Sequence, residues 1–354
     1  MNLDTCHLGD CREIMRRMIG KGLRVQTIVT SPPYWGLRDY GVSGQLGLEP
    51  LHDCLGWATG EHCGECHVCK MAEAFRLAHE LLADDGTLWL NYGDCYAGGG
   101  IGGGLKPKDL AMMPARIALA LQADGWYLRS DIIWAKTAAM PESIKDRPTK
   151  SHEHVFLFSK SERYFYNHLE AREPSVWDSE SNGVGFGHGT DKHARDRGRV
   201  KIPAGWETGP GQHGKFHADG RGVPKNYSFA RKVQESPPPG SPVQHRPGRE
   251  DVRYAETRNW RDVWTLGPEP FKGAHFATFP RALAERCIVA GSRPGDVVFD
   301  PFMGSGTVGE VAESLGRRWL GCELNPDYLA LQKKRIRQRG LVLEMAVAAS
   351  SLGS

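Results

Sequence analysis

The segment DPFMGSGTVGE at residues 300–310 restricts the possible folds of this chain more than any other feature. It follows the run DVVF, which predicts a strand, and it continues into a stretch that predicts a helix. Gly304, Gly306 and Gly309 have the spacing G-x-G-x-x-G, and Glu323 ends the next predicted strand, 19 positions after Gly304. A strand, a glycine turn, a helix and an acidic residue at this distance are typical of an α/β fold that binds an adenosine-bearing cofactor.

Strand and helix patterns alternate along both ends of the chain, which predicts a mostly parallel seven-stranded sheet covered by helices. The predicted strands are residues 3–8, 25–30, 87–92, 126–134, 154–159, 296–300 and 317–323. The predicted helices are residues 11–19, 71–82, 110–122 and 281–290, one from Thr307 and one from Pro326, with a turn at 83–86.

The acidic residues around the glycine segment indicate which cofactor it binds. The Glu323 carboxylate is suited to a ribose diol, which every adenosine cofactor carries. Asp300 at the strand end would repel a pyrophosphate and attract an ammonium or sulfonium group, which favours S-adenosylmethionine over a nicotinamide nucleotide. The alternative for the glycines is a tight turn that binds no ligand.

A second motif, TSPPYW at residues 30–35, follows a strand pattern rich in β-branched residues. Pro32 and Pro33 lack backbone donors and have a fixed φ, so the chain leaves the strand here in a rigid turn. Tyr34 is predicted to offer a flat ring at this turn, whereas Trp35 is equally compatible with a pocket wall and with the core.

TSPPY followed much later by DPFMGSGT resembles the β-class of amino-DNA methyltransferases, in which the catalytic motif precedes the cofactor motif. The resemblance implies a Rossmann-like fold of circularly permuted motif order that uses S-adenosylmethionine. LGD (8–10) resembles the adenine-side cofactor motif, GTLWLNYGD (86–94) the strand-five region, and HFATFP (275–280) the segment over the methionine end. In this fold the strands before Ser31 and Asp300 are neighbours.

The resemblance implies roles for individual residues. The implied catalytic residues are Ser31, Pro32, Pro33 and Tyr34, and the implied cofactor-binding residues are Asp10, Phe276, Thr278, Asp300, Phe302, Gly304, Ser305, Gly306, Thr307 and Glu323. The Ser31 hydroxyl and the Pro32 carbonyl would accept from an exocyclic amine of a base flipped out of double-stranded DNA, and Tyr34 would stack on that base. Serine rather than aspartate or asparagine at position 31 favours N4 of cytosine over N6 of adenine.

A cysteine cluster, Cys54, Cys63, Cys66 and Cys69, departs from the usual family pattern. Thiols this close together in a cytoplasmic protein predict a metal rather than disulfides, and four of them can complete a tetrahedral zinc site. His62 or His67 can substitute for a cysteine. An iron–sulfur cluster and free thiols are the alternatives.

The composition changes in the middle of the chain and predicts four parts. Residues 1–162 form the catalytic half with a Cys-rich insertion at 52–69, residues 263–340 the cofactor half, and residues 341–354 a tail. Residues 163–262 form the predicted target-recognition region, where 17 Lys and Arg outnumber 13 Asp and Glu. This composition is equally compatible with a disordered insertion and with a loop-rich, basic DNA-contacting segment.

The overall composition, with 25% charged and 40% hydrophobic residues, is that of a globular protein. No apolar run approaches the roughly 20 residues that cross a bilayer, and the first residues lack a signal-peptide pattern, so we expect a cytoplasmic protein. We expect a monomer or dimer, with a cognate restriction enzyme as a possible partner. The competing hypotheses are an inactive nucleic-acid-binding module and a nicotinamide-dependent oxidoreductase.

Overall fold

The structure is a computed structural model that describes residues 2–52, 54, 62–98, 105–174, 257–267, 279–333 and 335–336. The strands are β1 (Thr5–Leu8), β2 (Val25–Thr30), β3 (Leu82–Tyr92), β4 (Tyr127–Lys136), β5 (His152–Ser159), β6 (Arg172–Pro174), β7 (Thr257–Asn259), β8 (Val263–Leu266), β9 (Val297–Asp300) and β10 (Arg318–Glu323). The helices are α1 (Cys11–Gly20), α2 (His67–Leu81), α3 (Met113–Ala123), α4 (Arg281–Gly291) and α5 (Thr307–Ser314), and residues 326–333 are also helical.

Eight of these strands form one sheet in the order β1-β10-β9-β2-β3-β5-β4-β8. β5 runs antiparallel to both of its neighbours, and every other pairing in the sheet is parallel. β2 and β9 are neighbours in this order. After β2 the chain continues to β3 on one side of the pair, and after β9 it continues to β10 on the other side. The carboxyl ends of β2 and β9 therefore flank the switch point where open α/β sheets bind ligands.

Helices cover both faces of the sheet and produce two apolar cores. One core contains buried residues of α1, α2 and α3, such as Met15, Phe75 and Leu121. The other contains buried residues of α4 and α5, such as Ile288 and Val308. Because β2 has apolar neighbours on both faces, its sequence is a nearly continuous β-branched run rather than an alternating pattern.

The predicted fold class is confirmed, and the sheet has one strand more than the seven expected. The extra strand, β8, pairs with the edge of the sheet at β4. It has only four residues and one buried side chain, Trp264, so its sequence alone carries little strand signal.

Two predicted boundaries were wrong by four residues or more, for local reasons. The turn expected at 83–86 lies inside β3, where the pairing register with β2 shifts between Val25 and Thr27 and the extra residues are accommodated. Helix α2 begins at His67 instead of Met71, because Cys66 takes an extended conformation and serves as its N-cap.

The chain divides into two compact units, residues 1–172 with 259–354 and residues 173–258. A small two-stranded sheet pairs β6 with β7. Most of the predicted target-recognition region, the tail at 341–354, Phe276 and Thr278 lie outside the described residues. In the described part of the chain, no helix has the length and apolar character needed to cross a membrane.

Candidate functional site

A cavity of about 260 Å³ opens at the carboxyl ends of β2 and β9. Both predicted motifs line it, although they are 270 positions apart, because β2 and β9 pair through Thr27 with Val298 and Ile28 with Phe299. The predicted site residues in its wall are Asp10, Ser31, Pro32, Pro33, Tyr34, Asp300, Phe302, Gly304, Ser305, Thr307 and Glu323. Gly306 lies beside this wall as the N-cap of α5.

The glycine loop holds the Glu323 carboxylate in place. Gly304 N–H donates to Oε2 of Glu323 at 2.7 Å, and Asn325 N–H donates to Oε1 at 2.7 Å. Gly306 has φ of 87°, and a Cβ there would lie 2.9 Å from Gln332 Cγ, so both conformation and space require glycine. Burial raises the pKa of Glu323, and each carboxylate oxygen keeps a lone pair for a ligand hydroxyl.

Asp300 joins the two motifs directly. Thr30 Oγ1 donates to Oδ1 of Asp300 at 2.6 Å, and Phe302 N–H donates to the same oxygen at 2.9 Å. Asp300 is 4% exposed, and burial raises its pKa to about 7. Since both hydrogen bonds go to Oδ1, the other oxygen can serve a cationic ligand group.

Two other predicted cofactor residues are held by arginines. Asp10 caps α1 through a 2.7 Å hydrogen bond from Arg12 N–H and pairs with the Arg12 guanidinium at 2.6 Å. Ser305 Oγ accepts from Nη1 of Arg335 at 2.9 Å. Their positions at the cavity wall are therefore fixed before any ligand arrives.

The turn after β2 brings two residues with acceptor oxygens, Ser31 and Pro32, to the cavity wall. Ser31 Oγ donates to the Tyr34 hydroxyl at 3.1 Å and accepts from Nδ2 of Asn91 at 3.5 Å, so the Ser31 proton points along the wall and one lone pair remains available. Among the described residues, none donates a hydrogen bond to the Pro32 carbonyl. The turn thus keeps a hydroxyl oxygen and a carbonyl oxygen as acceptors.

The two aromatic residues of this turn have different environments. The Tyr34 ring lies 4.7 Å from the Tyr92 ring and against Gly93, where a Cβ would approach Tyr34 Cε2 to 2.7 Å. Tyr34 also lines the cavity. Trp35 is 1% exposed and donates from Nε1 to the Glu49 carbonyl at 2.8 Å, which makes it a core residue rather than a pocket wall.

Sequence reasoning missed three polar residues that line the cavity behind Tyr34: Asn91, Lys136 and Glu153. The Tyr34 hydroxyl donates to Oε2 of Glu153 at 2.7 Å and accepts from Nδ2 of Asn91 at 2.7 Å. Lys136 forms an ion pair with Glu153. A polar residue inside the apolar run TLWLNY was a usable signal for Asn91, whereas nothing in the local sequence distinguishes Lys136 or Glu153 from surface residues.

Asn91 also leaves an acceptor unused. It is 2% exposed, and in the described part of the chain its Oδ1 has no hydrogen-bond partner. A buried polar atom without a partner costs about 1–3 kcal/mol, so a donor from a bound molecule would stabilise this wall.

The structure brings the four predicted metal ligands together. The sulfur atoms of Cys54, Cys63, Cys66 and Cys69 all lie within 4.8 Å of one another. Five of the six sulfur–sulfur distances run from 3.4 Å for Cys66 and Cys69 to 3.7 Å for Cys63 and Cys69, and the thiols are not disulfide-bonded. Four sulfurs at about 2.3 Å from one central ion lie about 3.8 Å apart, so the cluster has the size of a tetrahedral zinc site.

His67 does not belong to the thiol cluster but connects it to the catalytic turn. It is the first residue of α2, and its ring bonds to Oε2 of Glu49 at 2.7 Å and to the Tyr92 hydroxyl at 2.8 Å. The Tyr92 oxygen in turn accepts from Trp35 N–H at 2.9 Å.

Comparisons with known proteins agree with this architecture. Residues 25–334 match the profile of the N6/N4 methyltransferase family, described as DNA methylase. The chain is 37% identical to the Type II methyltransferase M.XycI of Xanthomonas campestris pv. cyanopsidis over 97% of its own length and 91% of the relative's. It is also 37% identical to M.SmaI of Serratia marcescens, over 96% and 93%.

Solved structures share the fold at low identity. The PvuII DNA methyltransferase, named as cytosine-N4-specific, superposes with a TM-score of 0.54 at 17% identity, over 94% of this chain and 85% of the other. A putative DNA modification methylase from Thermus thermophilus, complexed with S-adenosyl-L-methionine, gives a TM-score of 0.50 at 21% identity, over 94% and 93%. With the profile covering most of the chain and full-length relatives above 30% identity, this protein belongs to the N6/N4 family of DNA methylases.

Proposed function

We propose that this protein transfers a methyl group from S-adenosylmethionine to N4 of cytosine at a specific site in double-stranded DNA. The observation that carries the proposal is the shared cavity, in which the acceptors of the Ser31 turn lie beside the acidic and glycine residues of the 300–307 loop. A methyl donor and a target amine need such a common space to react.

The cavity wall fits S-adenosylmethionine. Glu323 would hold the ribose diol, and Asp300 would hold the cationic methionine part, with Asp10 near the adenine. Phe302, Ser305 and the start of α5 would line the remaining wall, and Phe276 and Thr278 would close over the methionine end. When bound, S-adenosylmethionine supplies an electrophilic methyl group. A pyrophosphate cofactor fits poorly, because two buried acidic side chains face the same space.

The chain's own residues would activate the amine. An exocyclic amine is a weak nucleophile because its lone pair is delocalised into the base. Acceptors at Ser31 Oγ and the Pro32 carbonyl would draw its two N–H bonds out of conjugation, and the prolines fix that carbonyl in advance. Tyr34 would stack on the base once it has flipped out of the duplex.

Serine at position 31 is the basis for choosing cytosine. Its neutral hydroxyl is a weaker acceptor than a carboxylate, and the smaller cytosine ring leaves room for stacking by Tyr34. N6 of adenine is the alternative target, since a hydroxyl can accept from either amine.

Nucleoside mass spectrometry tests the product. DNA from a host without methyltransferases is treated with the protein and S-adenosylmethionine and then digested to nucleosides. We expect N4-methylcytosine, and N6-methyladenine without methylcytosine would overturn the assignment of the base. Ser31→Ala should slow methylation strongly while calorimetry still shows S-adenosylmethionine binding, because it removes an acceptor used in the transition state.

The same measurements separate the other hypotheses. An inactive DNA-binding module would leave DNA unmodified, and a nicotinamide-dependent enzyme would bind NAD rather than S-adenosylmethionine in the calorimeter. Relatives are named as Type II methyltransferases, so a cognate restriction enzyme is the expected partner, with the basic region 163–262 recognising the target sequence. The protein itself would act as a monomer or dimer in the cytoplasm.

The thiol cluster would hold structural zinc. Four cysteine sulfurs with tetrahedral spacing leave room for a single ion, whereas an iron–sulfur cluster needs sulfurs further apart. Two backbone N–H groups, of Glu65 and Cys66, donate to the Cys63 sulfur at 3.4 Å and 3.2 Å, which suits a thiolate ligand. The four ligands would be Cys54, Cys63, Cys66 and Cys69.

A further inference from the structure

The polar network behind the catalytic turn connects Ser31 to a buried carboxylate. We infer that Ser31, Tyr34 and Glu153 form a proton relay that removes the amine proton during methylation, with Glu153 as its final acceptor. This inference deepens the proposed function and depends on it.

Hydrogen-bond chemistry fixes the direction of the relay. The Glu153 carboxylate only accepts, so the 2.7 Å contact with Tyr34 requires the phenol to donate. The phenol oxygen is then free to accept, and Ser31 Oγ donates to it at 3.1 Å. The Ser31 oxygen also accepts from Nδ2 of Asn91 at 3.5 Å and keeps one lone pair for the target amine, which would lie in the cavity.

Asn91 favours this direction of the hydrogen bonds, from Ser31 to Tyr34 to Glu153. Its Nδ2 lies 2.7 Å from the Tyr34 oxygen and 2.9 Å from Oε2 of Glu153 and donates to both. Because it brings only donors to these two oxygens, it favours a phenol proton directed at Glu153 and a negative charge on that carboxylate.

Glu153 is kept as a carboxylate by its neighbours. Burial alone would raise its pKa, but the attraction of Lys136 and the hydrogen bonds from Tyr34 and Asn91 outweigh burial and hold the pKa below its ordinary value. Lys136 is itself positioned over the Trp134 ring, 4.7 Å from its centroid.

The path of the amine proton can be followed from the base to Glu153 without any further reactant. The N–H bond of the amine breaks as its nitrogen gains the methyl group, and the proton passes to Ser31 Oγ. Ser31 gives its own proton to the Tyr34 oxygen, and Tyr34 gives its proton to Oε2 of Glu153. Ser31 and Tyr34 end unchanged, and Glu153 ends as a carboxylic acid that later loses the proton to water. A methylated, positively charged base amine is a far stronger acid than a carboxylic acid, so even a carboxylate with a lowered pKa accepts the proton.

A role in positioning alone is the competing explanation, and two substitutions at one residue distinguish it. Glu153→Gln keeps the length and still accepts a hydrogen bond from Tyr34 but takes up no proton at neutral pH. Glu153→Asp is shorter but still takes up a proton. Tyr34→Phe keeps the ring and removes the middle of the relay. Glu80→Gln and Tyr127→Phe, at exposed positions, are the matched controls.

Single-turnover methylation with tritiated S-adenosylmethionine, on plasmid DNA from a methyltransferase-free host, measures the relay in water and in heavy water. We expect Glu153→Gln and Tyr34→Phe to be about 100-fold slower or more, which is the usual contribution of general acid–base catalysis. Glu153→Asp should be faster than Glu153→Gln. The wild-type rate should fall in heavy water by a factor that indicates several moving protons. The same factor should be smaller in Tyr34→Phe.

A measurement without DNA or cofactor tests the same contact. In protein labelled with ¹³C at glutamate carboxyls, Tyr34→Phe should raise the pKa of one buried glutamate, because Glu153 loses a donor, whereas Tyr127→Phe should leave it unchanged.

The relay is overturned if Glu153→Gln methylates as fast as Glu153→Asp, or if Tyr34→Phe keeps the wild-type rate and isotope effect. Should Glu153→Gln fail to fold, Tyr34→Phe decides the question. Wild-type protein that leaves plasmid DNA unmodified would instead overturn the proposed function, and the relay with it.

Discussion

Asp300 and Glu323 are both buried acids at strand ends, yet their hydrogen bonds prepare them for different partners. Glu323 accepts a backbone N–H on each oxygen and is held rigidly for a pair of ligand hydroxyls. Asp300 receives both of its donors on one oxygen, so burial outweighs them and raises its pKa to about 7. Asp300 is therefore expected to change protonation near neutral pH.

Binding of S-adenosylmethionine should release a proton from Asp300. Below pH 7 the free protein holds this carboxyl protonated, and a cationic ligand favours the ionised form. Calorimetry at pH 6, in buffers of different ionisation enthalpy, should show release of about one proton per cofactor bound. Asp300→Asn should bind more weakly and release none. Equal proton release by both proteins would show that another group titrates.

The same group makes a defined contribution to stability. Its pKa is raised in the folded protein, so between the ordinary value of 3.8 and about 7 the folded state holds a proton that the unfolded chain has lost. The contribution of Asp300 to the free energy of unfolding is therefore largest below pH 3.8 and falls as the pH rises to about 7, by a few kcal/mol at most. Asp300→Asn should flatten this part of the stability curve measured by denaturant titration.

At the scale of elements, the first turn of α2 supports the catalytic turn. His67 is fully buried and joins Glu49 to the Tyr92 hydroxyl, which itself accepts from the backbone of Trp35. The turn that carries Ser31 is thus held from β2 on one side and from α2 on the other.

Replacing His67 should disturb catalysis more than cofactor binding. His67→Phe keeps most of the volume but removes one hydrogen bond from Glu49 and one from Tyr92, at about 0.5–1.5 kcal/mol for each bond. We expect a lower melting temperature and a reduced methylation rate, with little change in S-adenosylmethionine affinity. His79→Phe in the same helix is the control and should cost less, because among the described residues His79 Nε2 has no partner to lose. A variant at position 67 as stable and active as the control would refute this support.

At the scale of the molecule, the thiol cluster and the cofactor loop belong to different halves of one sheet. The cluster organises the connection from β2 to α2, whereas the loop lies between β9 and α5. Loss of a metal should therefore affect methylation more than the binding of S-adenosylmethionine.

Protein purified without added metal should contain about one zinc per chain. Removal by a chelator, or Cys69→Ser, should lower the melting temperature and slow methylation, while calorimetry still detects S-adenosylmethionine binding. Cys95→Ser, outside the cluster, should keep its zinc. Zinc-free protein with unchanged stability and activity would contradict a structural role.

Much of the fold was predictable because its information is local. Glycines at positions 304 and 306 and the proline pair after β2 prescribe turns that few other residues form, and the β-branched runs before them prescribe strands. The adjacency of those strands followed from the resemblance, and the pairing of Thr27 with Val298 confirms it.

The remainder depended on contacts between residues distant in the sequence. Strand β8 exists because the edge of β4 is available to pair with it, and α2 starts early because Cys66 caps it beside the other thiols. The chain by itself therefore determined the two motifs, the fold class and the set of clustered thiols, since each depends on residue type and short spacing. Only the tertiary structure decided that Asn91, Lys136 and Glu153 stand behind Tyr34, because burial and pairing of a charged side chain depend on strands that meet only in the folded sheet.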